Sequence, residues 1–380
     1  MPNAKFSLPP EEYRARCDRT RDLLRQNGYS GLLAFSGYGE RDGNVCYLCG
    51  HKNAFPYSVR TDQVSGLGYS AFLLPLEGKS TLIATLGFQA NAVVGVENAK
   101  TGTNFTRDLI DSINETPLHE PKLAVAGADI IPAFYMEQLR REFQAVTFDY
   151  NEAILTNQRL VKSGNELRLL RNASKIADVA MSAAMKAVKP GVRESDIGSV
   201  ARKAAMQAGA DYVVRDRVQS GKQMGQLRWP FASSKKVRRG ELVSVDFVGW
   251  VDAYGFDILR IGCAGRPNKR QRKLIETAAQ ATEAMSDQLI DGVKIESSVS
   301  ALQRFERDGF KVSAFGHGIG LEIVENPYLF PGVPGEIRRN MVLCVEPDVR
   351  LKGNFASIEN EIIVTDRKPE VLTKLPVFWD

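Results

Sequence analysis

Two aspartates in the second half of the chain lie in apolar segments that are typical of buried strands. Asp246 ends the run at 242–245, and Asp257 lies 11 residues further on, within 254–260. A buried carboxylate is costly unless it is paired or binds a metal. If these segments form paired strands, the two carboxylates lie side by side, and their repulsion requires a cation or a raised pKa.

Three further residues in the same half are of types that bind metals. His317 lies between glycines in the segment 315–320, where glycine allows the backbone to approach a site closely. Glu346 follows the apolar run 341–345, and Glu359 lies just before another apolar run. Together with the two aspartates they form a set of four carboxylates and one imidazole, which suits Mn²⁺, Co²⁺, Fe²⁺ or Zn²⁺.

Each of these residues also has a structural explanation when it is considered alone. A buried aspartate is commonly a cap or a salt-bridge partner, and a buried histidine commonly has a structural role. Five such residues near the ends of apolar strands in one half of the chain favour a metal site over five separate structural roles.

The first part of the chain alternates helical and strand patterns, which is typical of an α/β domain. Charged residues with apolar residues at helical spacing predict a helix at 10–27, which Gly28 ends. The other predicted elements are strands at 31–35, 70–74, 80–84, 122–126 and 146–148 and a helix at 132–143. This domain is expected to span residues 1–155.

Residues 156–380 are expected to form a second domain of the α+β class, with helices on one side of a mixed, largely antiparallel sheet. Its strongest pattern is a helix at 164–186, followed by Pro190 and Gly191. The other predicted elements are helices at 194–208, 268–290 and 296–308 and strands at 242–248, 254–263, 341–345 and 358–364.

Composition excludes several classes of protein. The chain has 380 residues, enough for two domains of ~100–200 residues each. Its net charge of +5 is small, and its densest basic cluster, 235–239, is interpreted as a solvated turn, so no nucleic-acid partner is expected. No apolar stretch approaches the ~20 residues of a membrane span, and no secretory signal is visible, so no membrane partner is expected.

The cysteines predict a reducing environment. There are five, an odd number, which argues against a disulfide framework and for a cytoplasmic location. Cys46 and Cys49 have the spacing of a redox motif, but the segment 45–48 is interpreted as a strand, and no second pair completes a zinc site. We therefore expect both thiols to be small buried side chains.

The second half of the chain resembles the pita-bread family of methionine aminopeptidases, Xaa-Pro peptidases and creatinase. The matching features are the spacing of Asp246 and Asp257, the glycines around His317, Val345-Glu346-Pro347 and the spacing from Glu359 to Thr365. Residues 1–155 resemble the N-terminal domain of the prolidase and creatinase branch. The resemblance therefore implies a two-domain, prolidase-like chain whose second domain is a pita-bread domain with a curved sheet.

The resemblance also implies a centre of two divalent metal ions (Mn, Co, Fe or Zn). Asp246 would bind one ion, His317 and Glu346 the other, and Asp257 and Glu359 both. A hydroxide that bridges the ions would attack a peptide or amide C–N bond, as in Xaa-Pro peptidases. Glu346 would be the catalytic residue that passes a proton to the leaving group.

The sequence departs from the peptidases at positions where they carry two further histidines and an arginine. The first histidine aligns with Arg228 and Trp229, the second with Val324, and the arginine with Ser357. Arg228 and Trp229 are the predicted substrate-binding residues, which would recognise a carboxylate and a cation or apolar group.

Three functions remain open from the sequence. The first is a hydrolase of peptide or amide bonds, and the second is a non-peptidase enzyme, either a lyase or a hydrolase of amidines or cyclic amides. The third is a non-catalytic binding protein, against which the presence of all five ligands argues. The expected substrate is a small molecule or a short peptide.

The resemblance further suggests a homodimer in which the N-terminal domain reaches the neighbouring active site. The segment 51–60 has side chains suited to that role, and Tyr57 and Arg60 are its predicted substrate-binding residues. The alternative is that this segment is a solvated loop.

Overall fold

The computed structural model describes residues 8–53, 58, 60–87, 96–118, 121–226 and 231–379. The chain forms two compact units, Met1–Arg159 and Leu160–Asp380. The expected domain boundary, after residue 155, falls inside the helix Ala153–Leu160 that ends the first unit.

The first unit is built on a six-stranded mixed sheet. Its strands are β1 (Gly31–Gly37), β2 (Tyr69–Pro75), β3 (Thr81–Ala84), β4 (Asn98–Lys100), β5 (Lys122–Ala126) and β6 (Thr147–Tyr150). The described helices of this unit are α1 (Pro10–Gln26), α2 (Gly43–Cys49), α3 (Phe105–Asn114), α4 (Ala133–Glu142) and α5 (Ala153–Leu160). The strand order is β4-β3-β2-β1-β5-β6, with β1 parallel to β5 and antiparallel to β2.

Strand β1 is central and is covered on both faces. Leu33 packs in a core with Leu109 of α3 and Leu139 of α4. Leu32, which points to the opposite face, is also fully buried. A strand buried on both faces has a continuous apolar sequence, as the predicted strand at 31–35 has.

The prediction of a strand at 45–48 is wrong, because this segment lies in helix α2. All seven residues of α2 are buried, so its sequence lacks the polar face that distinguishes an amphipathic helix from a buried strand. Gly50 ends the helix with a φ of 77°, in the left-handed region that favours glycine. The expected burial of Cys46 and Cys49 is confirmed.

The second unit contains three antiparallel sheets among its described residues. Their strand orders are β7-β8-β9, β10-β14-β15 and β12-β11-β13-β16-β17. The first strands are β7 (Tyr212–Ser220), β8 (Leu242–Val251), β9 (Tyr254–Cys263), β10 (Phe310–Ser313), β11 (Gly316–Gly318) and β12 (Glu325–Tyr328). The last strands are β13 (Val342–Val345), β14 (Asp348–Leu351), β15 (Asn354–Ala356), β16 (Asn360–Ile363) and β17 (Glu370–Val371).

Four described helices accompany these sheets. They are α6 (Gly164–Ala187), α7 (Glu194–Ala208), α8 (Lys269–Ser286) and α9 (Ile295–Ser300). The predicted helices at 268–290 and 296–308 are therefore too long. Asp308 and Gly309 have φ values of 55° and 80°, which are incompatible with a right-handed helix, and the chain turns there into β10. None of the helices in the described ranges has the length and apolar character needed to cross a membrane.

Alternation along β8 and β9 separates the apolar side chains from the carboxylates. Val245 and Phe247 of β8 pack in one core with residues of α6 and α7. Asp246 lies between them in the strand and therefore points away from these helices. Asp257 of β9 lies between two members of the same core and points to the same face as Asp246. This face carries the candidate site.

Candidate metal centre

The two aspartates are neighbours on one face of the β8–β9 ladder. Asp246 lies opposite Leu259, and Asp257 lies opposite Val248, so the carboxylates are diagonal neighbours rather than directly opposite. Both side chains are buried. The two buried carboxylates are therefore neighbours, as expected, but Asp257 lies opposite the position two residues after Asp246.

His317 faces these carboxylates from β11. Its Nδ1 lies 2.9 Å from the carbonyl oxygen of Gly318, so the Nδ1 hydrogen donates to that oxygen. In the neutral ring Nε2 carries the free lone pair, and in the protonated ring it donates to Glu346. It lies 3.5 Å from Glu346 Oε1 and 4.0 Å from Asp257 Oδ2. A backbone acceptor that fixes the tautomer in this way is typical of histidines that bind metals.

The glycines next to His317 are required by the neighbouring strands. A Cβ on Gly316 would lie 2.5 Å from the carbonyl oxygen of Cys344 and 2.9 Å from Leu329 Cδ1. The close approach expected from the sequence is therefore an approach of β11 to the adjacent backbone and core. It holds His317 at a fixed position over the carboxylates.

Glu346 and Glu359 enter the site from the ends of β13 and β16. The amide of Glu346 donates to the carbonyl of Phe315 over 3.1 Å, which ties it to the strand of His317. The amide of Glu359 donates to the carbonyl of Leu259 over 3.1 Å, which ties it to β9. The Arg260 guanidinium also donates to the Glu359 carbonyl. Both carboxylates are thus positioned through their backbones, and their side chains are left to face the site.

Four buried carboxylate oxygens of this group have no hydrogen-bond partner: Asp246 Oδ1, Asp257 Oδ1 and both oxygens of Glu359. An unpartnered buried acceptor costs ~1–3 kcal/mol, and more when it is charged. These oxygens and the Nε2 of His317 are donors of the types that bind borderline divalent ions. The residues therefore fit a divalent metal centre.

Burial raises the carboxyl pKa values of the site, because the charged forms lose their hydration. Burial raises the pKa of Asp257 to about 7, although Arg215 opposes the shift. Burial and the charges of Asp257 and Glu346 raise the pKa of Glu359 well above its usual range. Burial lowers the pKa of His317, but its hydrogen bond with Glu346 and the nearby carboxylates raise it overall. The site therefore holds more negative charge than its own residues compensate, which a cation would correct.

Strand β7 brings two arginines to the same face, and neither is among the residues predicted from the sequence. Arg217 lies opposite Asp246 in the β7–β8 ladder. Arg215 Nε lies 3.2 Å from Asp246 Oδ1, and its Nη2 lies 3.3 Å from Asp257 Oδ2. The Arg217 guanidinium contacts Asp246 Oδ2.

Cys344 and Glu361 also line the site and were not predicted to do so. Cys344 lies opposite His317 on one side and opposite Glu361 on the other, so the three side chains share a face. The Cys344 thiol, a ring nitrogen of His317 and an oxygen of Glu359 lie within 4.8 Å of one another. Glu361 Oε1 accepts from the amide of Asp257 over 2.8 Å, and burial raises the pKa of Glu361 to about 8.

Val324 and Ser357 are the positions where the resemblance predicts a histidine and an arginine in the peptidases. Val324 lies between β11 and β12 and is 43% exposed. Ser357 is buried, and its hydroxyl donates to the carbonyl of Glu346 over 3.2 Å. Ser357 therefore positions the backbone of Glu346.

Of the four predicted substrate-binding residues, Arg60 alone lies among the described residues. Tyr57, Arg228 and Trp229 lie outside the described residues. Arg60 belongs to the first unit, where its guanidinium lies 3.8 Å from the ring centroid of Phe134 beside a cavity of about 660 Å³. The predicted role of Arg60 in a neighbouring active site stays a prediction.

Comparison with known proteins identifies the family. Residues 168–366 match the model of metallopeptidase family M24. This span is more than half of the chain and contains all five predicted ligands. The chain belongs to family M24.

Relatives of the M24 chain include peptidases that align with most of its length. A Xaa-Pro dipeptidase from Pyrococcus horikoshii is 25% identical over 249 residues, which cover 64% of this chain and 71% of that protein. An uncharacterized peptidase from Bacillus subtilis is 24% identical and aligns over 95% of this chain and 98% of its own.

Solved structures share the fold of the M24 chain over nearly its whole length. The X-Pro aminopeptidase from Thermotoga maritima superposes with a TM-score of 0.81 at 22% identity, covering 95% of this chain and 98% of that one. The prolidase from Pyrococcus horikoshii gives a TM-score of 0.80 at 21% identity, covering 95% and 99%. The expected two-domain architecture with a pita-bread domain is confirmed. The M24 chain is a metallohydrolase, and its family implies a divalent metal cofactor.

Proposed function

We propose that this M24 protein is a dinuclear metal-dependent hydrolase of peptide or amide C–N bonds, similar to Xaa-Pro peptidases. The observation that carries the proposal is the group of four buried carboxylate oxygens without a hydrogen bond, together with the Glu359 oxygen that lies within 4.8 Å of a ring nitrogen of His317. Two relatives support the choice of bond, since one is named a Xaa-Pro dipeptidase and one solved structure an X-Pro aminopeptidase.

Five residues would hold two divalent ions (Mn, Co, Fe or Zn). Asp246 would bind one ion, His317 and Glu346 the other, and Asp257 and Glu359 both. When bound, such a pair of ions lowers the pKa of water and so supplies hydroxide near neutral pH. The raised pKa values of Asp257 and Glu359 mean that these residues give up protons when they bind a metal.

Glu346 is the carboxylate best placed to move protons to and from a substrate. Its side chain is 16% exposed, whereas those of Asp246 and Asp257 are 4% and 3% exposed. Ser357 and Phe315 hold its backbone through hydrogen bonds of 3.2 Å and 3.1 Å. Burial raises its pKa above the usual carboxyl range, which strengthens this carboxylate as a base. Glu346 would therefore act as general base and then as general acid toward the leaving amine.

The test is proline release by metal-loaded protein. Protein stripped with chelator is reloaded with Mn²⁺, Co²⁺, Fe²⁺ or Zn²⁺, and each form is assayed with Ala-Pro and Gly-Pro. We expect release with at least one metal, and a loss of ~10²–10⁴-fold in kcat for Glu346→Gln, because general acid–base catalysis contributes about that much. Glu276→Gln, an exposed substitution on α8, is the matched control and should leave the rate unchanged. Stoichiometric metal without proline release would overturn the peptidase proposal.

A second candidate is a non-peptidase enzyme of the same fold, either a lyase or a hydrolase of amidines or cyclic amides. Val324 and Ser357 favour it, because neither supplies the histidine or arginine that Xaa-Pro peptidases carry at these positions. The same metal-loaded forms would be screened against cyclic amidines, betaine-like compounds and sulfonium compounds. Turnover of one of these classes without proline release would favour the second candidate, and proline release alone would exclude it.

A further inference from the structure

Arg215 and Arg217 lie between the carboxylate cluster and solvent. Their side chains are 35% and 18% exposed, whereas those of Asp246 and Asp257 are only 4% and 3% exposed. The guanidiniums are therefore the more exposed partners of these ion pairs, and a substrate in solution can reach them. The strand register supports this placement, because both arginines of β7 lie on the same face of the sheet as Asp246 of β8.

The two arginines and the divalent ions compete for the same oxygens. Arg215 and Arg217 contact both oxygens of Asp246, and Arg215 also contacts Asp257 Oδ2. The four carboxylates of the site carry a charge of −4 when ionised, which two divalent ions would neutralise. The charge of +2 on the two guanidiniums is then left without its present partners. Arg215 Nε lies 3.2 Å from Asp246 Oδ1, but without the geometry of a hydrogen bond.

An arginine pair in this position favours the binding of an anion from solution. Guanidinium groups bind carboxylates through paired, charge-assisted hydrogen bonds, and such bonds are about twice as strong as neutral ones. Side chains two residues apart on one strand face are ~7 Å apart, so both can reach the same extended anionic substrate. Arg202 does not contribute, because it pairs with Asp216 at 3.0 Å, and Asp216 alternates to the opposite face of β7.

We propose that Arg215 and Arg217 bind a substrate carboxylate, so that the enzyme prefers substrates with an anionic group near the scissile bond. This proposal rests on the proposed function, because it assumes a metal-loaded site that hydrolyses a peptide or amide bond. The carboxylate comes either from an acidic first residue of the peptide or from its C-terminus.

Two matched peptide pairs distinguish these sources. Glu-Pro and Gln-Pro differ only in the charge of the first side chain, and Ala-Pro and Ala-Pro-amide differ in the charged C-terminus. We expect kcat/KM to favour the anionic member of one pair by about tenfold to a hundredfold, which is what a hydrogen bond to a charged group contributes. Ratios near one for both pairs would overturn the proposal.

Substitutions assign the preference to the arginines. Arg217→Gln and Arg215→Gln should each reduce the ratio of the favoured pair severalfold, and the double variant should bring it close to one. Arg217→Lys keeps the charge without the fork geometry and should give an intermediate ratio. Arg202→Gln removes a charge on helix α7 that pairs with Asp216 on the other face of β7, and it should keep the wild-type ratio. A double variant that folds, binds metal and keeps the full ratio would overturn the proposal.

A binding measurement separates failure of this proposal from failure of the proposed function. Calorimetric titration of Mn²⁺-loaded protein compares glutarate with glutaramate, which has an amide in place of one carboxylate. We expect wild-type protein to bind glutarate at least tenfold more tightly, and the double variant to bind the two equally. That result without proline release supports the arginine site and rejects the peptidase. Equal binding of the two compounds by wild-type protein, together with flat peptide ratios, rejects the arginine site.

Discussion

Glu359 is the residue whose substitution best separates metal binding from folding. Both of its carboxylate oxygens are buried without a hydrogen-bond partner, and its pKa is raised well above the usual range. Burial therefore favours the neutral form of this side chain in metal-free protein, and Glu359→Gln introduces a neutral group of similar shape. We expect the free energy of unfolding of metal-free protein to change by less than about 1 kcal/mol.

Metal binding should respond quite differently to the same substitution. An amide cannot supply the anionic ligand that we propose for Glu359, so we expect metal affinity to fall at least ~100-fold, more than the loss of a hydrogen-bond partner of a ligand costs. Metal content by mass spectrometry and urea denaturation in chelator provide the two measurements. Glu370→Gln, which changes a half-exposed carboxylate paired with Arg171, serves as the control. A destabilised apoprotein with normal metal content would contradict this assignment of Glu359.

The residues that the sequence did not identify were hidden for a physical reason. Arg215, Arg217 and Cys344 enter the site only because β7 pairs with β8 and β13 pairs with β11. Such pairings join segments that are distant along the chain, and no local pattern specifies them. Asp246 and Glu346, in contrast, follow apolar runs in the sequence, so the burial of these two carboxylates could be predicted from the neighbouring residues.

At the scale of the elements, β11 depends on Gly316. A Cβ at this position would lie 2.5 Å from the carbonyl oxygen of Cys344, and that oxygen cannot shift without moving β13 and the attached Glu346. We expect Gly316→Ala to destabilise the protein by ~1–3 kcal/mol, the usual cost of overpacking, and to weaken metal binding. Gly164→Ala is the control, because a Cβ there meets nothing within 4 Å and the position begins helix α6. Equal unfolding midpoints for the two variants would contradict this account of β11.

Long elements with a regular period were predictable, and short or charged ones were not. The helix at 164–186 and the strand at 254–263 correspond to α6 and β9, because each shows many repeats of its apolar period. Strand β7 was not predicted, because its residues 215–217 are all charged and hide the apolar alternation of a strand. These charges are paired only in the folded chain, with the aspartates of the site and with Arg202 of α7. Helix α2 was mistaken for a strand, because complete burial removes the pattern on which the prediction depends.

At the scale of the whole molecule, we propose a homodimer in a reducing, cytoplasmic compartment. The five cysteines are free, which is consistent with such an environment. We expect light scattering to give about twice the chain mass of 42.0 kDa. Arg60→Ala should lower kcat/KM for the preferred substrate by about tenfold while the first unit keeps its fold, because a charged group that reaches substrate contributes about that much. An active monomer, or unchanged kinetics in the variant, would contradict this proposal.

We expect a rise in pH to destabilise the metal-free second unit and bound metal to stabilise it. Burial raises the pKa of Asp257 to about 7 and that of Glu361 to about 8, so the folded metal-free unit binds more protons than the unfolded chain up to these values. The slope of the free energy of unfolding against pH is negative wherever the folded state binds more protons. We therefore expect metal-free protein to be less stable at pH 8 than at pH 6.5, by ~1–2 kcal/mol, since one pKa unit corresponds to ~1.4 kcal/mol.

Bound metal should offset this loss of stability at high pH, because the ions bind deprotonated carboxylates and bind them more tightly as pH rises. The stabilisation by saturating Mn²⁺ should therefore be greater at pH 8 than at pH 6.5. Tryptophan fluorescence suits the measurement, because residues 229, 250 and 379 all belong to the second unit. Titration of His51 should not affect this measurement, because His51 belongs to the first unit. Its pKa is also lowered to about 4, which is below the pH range of the measurement. Asp257→Asn should weaken both dependences and leave the part that Glu361 contributes. A metal-free protein that is more stable at pH 8 than at pH 6.5 would show that the buried carboxyls do not control the stability of this unit.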